Sequence, residues 1–369
     1  MLHRLSHNLT AYRLPRTFSF RIDEPNENQA LIVDRLVNYY SYMKRESQRR
    51  KVPGIQGIWA HYIGIFKDFD AALDARNIAS VSETLLKICT TPLVSGFASY
   101  HSNAAIALDR RAAMFESYLT IDRLLSLAES LGAAHPQCPF QGPSGYFELD
   151  VDALLDGVRR RLPFDISPPK AGGGVFGLQT PEGIISSTEL LAMHAAARAN
   201  PLLLESSQKT VCEIGGGMGV LAFYMTKTCA QSVTVADLPI VSIIQGYYLM
   251  KSLGPKSVHL AGENGSAKVN IIPYWELDDI PEKSISMFIN IDSMPEIDAD
   301  IAQRYAKLIG NKGSELFLSI NHETKFNNQN VVQDLVERAG GFRRIHRSPH
   351  WMMRGYVEEI YKIEPKGRV

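Results

Sequence analysis

The stretch Val211-Cys212-Glu213-Ile214-Gly215-Gly216-Gly217-Met218-Gly219 decides the fold. An apolar run takes in one acid and meets a glycine turn, and an apolar segment follows from Val220. That order predicts strand, turn and helix, which brings a backbone with little side-chain bulk up to a ligand. The glycines fall as G-x-G-x-G. In the dinucleotide fingerprint G-x-G-x-x-G the third glycine would fall at Val220. Glu213, two residues ahead of the first glycine, points to a ligand with positive charge near the turn.

Outward from this stretch the rhythm is strand and helix in alternation. Strands are predicted over 210–214, 233–237, 269–272, 285–291 and 315–321, and helices over 220–229, 240–253, 299–309 and 331–339. Alternation implies a parallel sheet with helices on both faces. Segments 342–347 and 357–363 then read as strands joined only by a turn near Arg354-Gly355, so they pair antiparallel. Asp237 ends the second strand, 22 residues after Gly215. An acid at that place accepts two hydrogen bonds from a ribose diol, with Leu238 beside an adenine. The alternative for Asp237 is a helix cap, since Leu238-Pro239 can open the next helix.

Upstream, 186–189 reads Ser-Ser-Thr-Glu, a capping box, and a helix is predicted from 190 to 200, ended by Pro201. Residues 166–185 hold Pro168-Pro169, Gly172-Gly173-Gly174, Gly177, Pro181 and Gly183. They read as an interdomain linker or as a lid near the ligand. Residues 1–165 form a mostly helical first part. Its apolar positions recur at helical spacing from Asn28, through 58–63, 69–79 and 81–89, along 104–131 and over 151–161, with no strong strand and no catalytic spacing. The expected division is 1–165, a helical dimerisation or cap domain; 166–185, the linker or lid; and 186–369, the ligand-binding α/β domain.

The whole chain bounds the function. Its 369 residues are 45% hydrophobic and 21% charged, the composition of a globular protein. Lys plus Arg equals Asp plus Glu at 39 each, so there is no basic excess for nucleic acid and no support for an acidic membrane partner. The four cysteines form no C-x-x-C pair and no Cys/His set with zinc spacing, and no metal is expected. Cys212 reads as a small apolar filler. No apolar run has signal-peptide or membrane-spanning character, and a cytoplasmic location is the expectation.

The acid-glycine run Glu213-x-Gly215-x-Gly217-x-Gly219, Asp237-Leu238-Pro239 and the antiparallel finish together resemble the class I S-adenosylmethionine-dependent methyltransferases, over residues 186–365. More narrowly, Asn290-Ile291-Asp292-Ser293-Met294-Pro295-Glu296-Ile297, Asn321-His322, and the tail from Ser348-Pro349 to Tyr356-x-Glu358 resemble a bacterial family described as sugar O-methyltransferases. The resemblance implies a Rossmann-like domain of seven strands with an antiparallel last strand, and S-adenosylmethionine as cofactor, whose amino group and sulfonium carry positive charge. It implies that Glu213, Gly215 and Gly217 contact the methionine end and that Asp237 holds the ribose. Asn290 and Ile291 would border the methionyl part. Tyr274 and Trp275 would lie near the adenine or the substrate entrance, the alternative being ordinary strand-edge packing.

The acceptor belongs beyond strand ends four and five, because ligands of open parallel sheets sit past the carboxyl ends. An alcohol acceptor needs a base, and His322, Asp292 or Glu296 could serve. Asp298 and Asp300 read as the start of the next helix. Plant-type O-methyltransferases place a histidine after the fourth strand; the corresponding stretch here, 290–296, has none, which leaves the base open. The expected activity is O-methylation of a sugar or sugar-bearing metabolite. Its alternatives are N-methylation of a small cationic metabolite, such as a guanidine, and a cofactor-binding module without catalysis. The resemblance also implies a homodimer built on the helical half. Tyr100, His101 and the loop 172–177 could reach the pocket.

Overall fold

A computed structural model of the chain describes residues 17–54, 64–94, 97, 106, 109–136, 150–324 and 329–364. Strand β1 (Phe18–Phe20) precedes a helical series: α1 (Gln29–Arg49), α2 (Lys67–Asp74), α3 (Ile78–Leu86), α4 (Arg110–Ser130) and α5 (Val151–Arg161). Asn77, Asp109 and Asp150 cap the last three, each side chain accepting a backbone N–H of the first turn. The expected helical segment 58–63 lies outside the described residues, as do Tyr100 and His101.

Where composition predicts a linker or lid, the chain forms strands β2 (Phe176–Thr180) and β3 (Gly183–Ile185), which pair with β1 in an antiparallel sheet. The glycine run is packed rather than open. Gly172 and Gly173 are buried, and a Cβ on Gly173 would strike the Leu86 carbonyl. Glycine here permits close approach of two chain segments, which composition cannot distinguish from looseness.

Helix α6 (Ser187–Leu204) follows. Ser186 and Glu189 complete the capping box, and the helix continues three residues past Pro201. A proline in the last turn forfeits one backbone bond rather than interrupting a ladder. Then come β4 (Thr210–Ile214), α7 (Val220–Met225), β5 (Ser232–Asp237), α8 (Pro239–Leu253), β6 (Val258–Leu260), β7 (Val269–Pro273), β8 (Ile285–Ile291), α9 (Ala299–Lys312), β9 (Gly313–His322), α10 (Val332–Ala339), β10 (Phe342–Pro349) and β11 (Tyr356–Ile363). Helix α7 stops at Met225, short of the expected 229. Thr226 and Thr228 donate their hydroxyls back to the carbonyls of Phe223 and Met225, both at 2.7 Å, in place of helical continuation.

Among the described residues the large sheet has eight strands in the order β10-β11-β9-β8-β4-β5-β7-β6. This is one more than the seven expected. The addition is β6, three residues at the edge, too short for periodicity to mark it. Only β11 runs against the rest, between β9 and β10. The chain leaves β9, passes through α10 to the outer strand β10, and returns as β11 into the gap.

Side chains alternate across the sheet and so set its two layers. Val211, Met287, Ile289, Leu318 and Ile320 face the core shared with α6, α7, α8 and α1. Cys212, Ile214, Phe288 and Phe317 face the core under α9 and α10. Glu213 shares the parity of Val211, which puts its carboxyl on the α6–α7 side. Helix α1 meets α8 where Gly246 faces Leu36; a Cβ there would lie 2.6 Å from Leu36 Cδ2. Among the described residues no helix is long and apolar enough to cross a membrane.

Candidate active site

The sheet changes direction of build at β4. From it the chain moves outward through β5 and β7, then returns to the other side with β8 and β9. The register pairs Ile214 with both Ala236 and Asn290. The carboxyl ends of β4, β5 and β8 therefore stop at one level, and the residues just beyond them surround one crevice. A cavity fills that crevice. It is lined by Glu213, Gly215, Gly217, Asp237, Leu238, Tyr274, Ile291, Asp292 and Glu296 among others.

The turn is built to keep its surface open. Gly215 has φ +72° and a Cβ there would collide with Ser293, whereas Gly217, at φ +54°, faces open space. Glu213 lies beneath the turn, 4% exposed, and its Oε2 has no hydrogen-bond partner. Burial, and then the charge of Asp237, push its carboxyl up to about 8. Asp237 is raised to about 7, chiefly by burial. Its Oδ1 accepts the Leu238 N–H and its Oδ2 accepts Gln245 Nε2–H, both at 2.7 Å. Two adjoining carboxyls held partly protonated at neutral pH form a site that gains from an incoming cation and from hydroxyl donors.

Three of the expected residues do not reach the cavity wall. Asn290 is fully buried and braces the turn from behind, its Nδ2 donating to the Ile214 carbonyl at 2.9 Å and to Ser293 Oγ. Trp275 is buried against the core, its ring edge-on to Tyr274 at 5.0 Å, and only Tyr274 lines the cavity. His322 ends β9 opposite Tyr356, lies edge-on to that ring at 5.8 Å, and accepts the Thr324 N–H at Nδ1. It meets the cavity through Tyr356 and Asp292. Neighbouring residues at a strand end point to opposite faces, so closeness in sequence to the site does not place a side chain in it.

The part of the cavity beyond β8 gathers around Asp292, a non-glycine residue at φ +54°. Its Oδ2 accepts the Tyr356 hydroxyl at 2.8 Å and its buried Oδ1 has no partner. Burial raises its carboxyl. Glu296 is raised to about 7 by burial and then by Asp292. Asp298 lines the cavity and also caps α9, accepting the Asp300 N–H at 3.0 Å. Asn327 and Asn328 lie outside the described residues.

The wall opposite the glycine turn was not legible. Thr188, Leu191, Ala192 and Ala195 of α6 supply it, with His350 and Met353 from the β10–β11 connection. Tyr356 appeared in the tail motif but not as a partner of Asp292, 64 residues earlier. No spacing rule joins residues that only sheet order makes neighbours.

No family model matches the chain, and no curated protein matches it. Solved structures do. Magnesium protoporphyrin IX methyltransferase from Synechocystis PCC 6803, with bound SAM, is 12% identical; the match covers 48% of this chain and 83% of that one, with a TM-score of 0.35. For a SAM-dependent methyltransferase from Aquifex aeolicus the figures are 13%, 46%, 88% and 0.34. For mitomycin 7-O-methyltransferase they are 14%, 48%, 57% and 0.33. Each covers less than half of this chain.

Proposed function

We propose that the protein is an S-adenosylmethionine-dependent methyltransferase acting on a small polar metabolite. One observation carries the reading: a glycine turn flanked by two acids, the buried Glu213 with an unpartnered oxygen and the half-buried Asp237 at the next strand end, opening on one cavity. Glu213 would take the cofactor's ammonium through the turn, Asp237 the ribose hydroxyls, and Leu238 and Tyr274 the adenine. Gly217, with open space where a Cβ would stand, admits the methionine end against the backbone. When bound, the cofactor supplies an electrophilic methyl group. The chain's own work is to exclude water, aim the acceptor and take its proton.

For the acceptor we favour a hydroxyl of a sugar or sugar-bearing metabolite. Glu296 is the base of this reading. Its carboxyl titrates near neutrality and lines the cavity, which suits a general base. Asp292, held by Tyr356, would orient the acceptor, and His322 acts behind them as a positioning residue. A second reading, methylation of a cationic nitrogen, draws on the same pair: two desolvated carboxyls at one cavity wall gain from an ammonium or guanidinium. The helical half is proposed to mediate a homodimer, and Met114 and Phe115 of α4 offer it exposed apolar surface.

Binding of labelled cofactor and methyl transfer to a panel of glycosides, amines and guanidines test this. Asp237→Ala and Gly217→Val are each expected to lose cofactor binding, and Glu296→Gln to lose turnover by about 10²-fold or more with binding kept. Methylation of guanidines but of no glycoside selects the second reading. Unchanged cofactor affinity in both turn variants would overturn the site.

A further inference from the structure

Two histidines stand apart from the chemistry assigned so far. His194 lies on α6 and His350 follows β10; both are buried, at 3% and 6% exposure, with rings edge-on at 5.0 Å. His194 Nδ1 and His350 Nε2 are each buried without a hydrogen-bond partner. Glu358 of β11, also buried, completes a group whose donor atoms all lie within 4.8 Å of one another. Buried nitrogens without a hydrogen-bond partner cost stability unless something fills the space between them.

We propose that His194, His350 and Glu358 form a binding site for a first-row divalent transition-metal ion, with zinc as the best-fitting one. Two imidazoles and a carboxylate are a donor set that such an ion accepts, leaving a further position open. Around bonds of about 2.1 Å the donors stand about 3.4 Å apart, so the group contracts modestly on loading. His350 also lines the active-site cavity, which puts the group beside the space proposed for the acceptor.

The surroundings choose the class of ion. Arg198 holds Glu358 Oε1 through Nε at 2.8 Å and Nη2 at 2.7 Å, the outer bond that a ligating carboxylate needs. Arg198 and Arg123 both act on His350, and His346 lies 3.6 Å from Glu358 Oε1. With that much positive charge beside one carboxylate, magnesium and calcium, which depend on oxygen ligands, are poorly served. Nitrogen donors must carry the affinity. The Met353 N–H donates to His350 Nδ1 at 3.2 Å, which sets the proton of the metal-free ring on Nε2. Loading at Nε2 moves that proton to Nδ1 and gives up this long hydrogen bond.

The full chain, stripped with chelator, is titrated with Zn2+, Co2+ and Mg2+. One equivalent of Zn2+ is expected to bind and raise the melting temperature. Co2+ should give the visible d–d bands of a low-coordinate nitrogen–oxygen site, and Mg2+ should do neither. His194→Ala and Glu358→Gln are expected to lose the bands. His194→Gln, which fills the ring's space, shows by its unchanged circular dichroism whether loss of folding is the cause. No stoichiometric Zn2+ binding by the wild type, or cobalt bands that survive in a folded His194→Gln, would overturn the proposal. Cofactor binding is measured separately, so failure of the metal site leaves the methyltransferase reading standing.

Discussion

At the scale of the residue, Glu213 carries the most consequence. Its carboxyl is raised to about 8 in the folded chain from an ordinary 4.5. The folded chain therefore binds more protons than the unfolded chain between those values. Stability contributed by the protonated acid is present below about 4.5 and is lost as pH rises through about 8. In the proposed function the cofactor's ammonium would reverse the preference by pairing the ionised form. Melting temperatures measured from pH 5 to 9, with and without S-adenosylmethionine, should show the cofactor's stabilisation growing toward the alkaline end. Glu213→Gln should flatten the fall in the free protein and remove most of the cofactor's effect. Glu213 and its glycines were readable because they lie within a few residues of one another. Tyr356 and His350 were not, because their partners are far away in the chain.

At the scale of the element, α6 shows how a local signal acquires a tertiary task. The capping box is written in Ser186 and Glu189, and Glu189 Oε2 accepts the Ser186 N–H at 2.6 Å. The other oxygen of Glu189 takes Arg21 Nη2 at 2.6 Å, in a pair with both side chains buried. Arg21 also donates to the Ala171 carbonyl at 2.8 Å and to the Ile184 carbonyl. One carboxylate therefore starts the helix, ties down the strand β1 region and sets α6 against the cavity. Glu189→Ala removes the buried carboxylate that pairs with Arg21 and completes the capping box. The expected loss is about 3–5 kcal/mol by denaturant unfolding, against a smaller one for Glu189→Gln. The strands β2 and β3 were missed for the opposite reason. Their glycines and prolines read as looseness, and only their neighbours reveal close packing.

At the scale of the whole molecule, the helical first part and the large sheet share a core. Ile32, Leu36 and Tyr40 of α1 belong to the same apolar cluster as Ile244 and Tyr247 of α8. The cover over α8 is therefore part of the sheet's own stability. The proposed homodimer is tested by sedimentation, where twice the chain mass of 41.1 kDa is expected. A mass of one chain would contradict it. Met114→Asp with Phe115→Asp should shift the species toward the monomer if α4 forms the interface, with methyl-donor binding retained.

The amino-acid sequence by itself determined the α/β alternation, the glycine turn with Glu213, the acid at Asp237 and the cap of α6. Each of these is a short-range pattern: hydrophobic period, glycine where φ is positive, a side chain bonding a backbone two or three residues away. The tertiary structure alone decided which strand ends meet. It put β11 between β9 and β10, turned Asn290 and Trp275 away from the cavity, set Tyr356 on Asp292, and drew His194, His350 and Glu358 together. Those outcomes depend on sheet order and on which face each residue takes, and contacts between residues 64 to 164 positions apart leave no spacing to read.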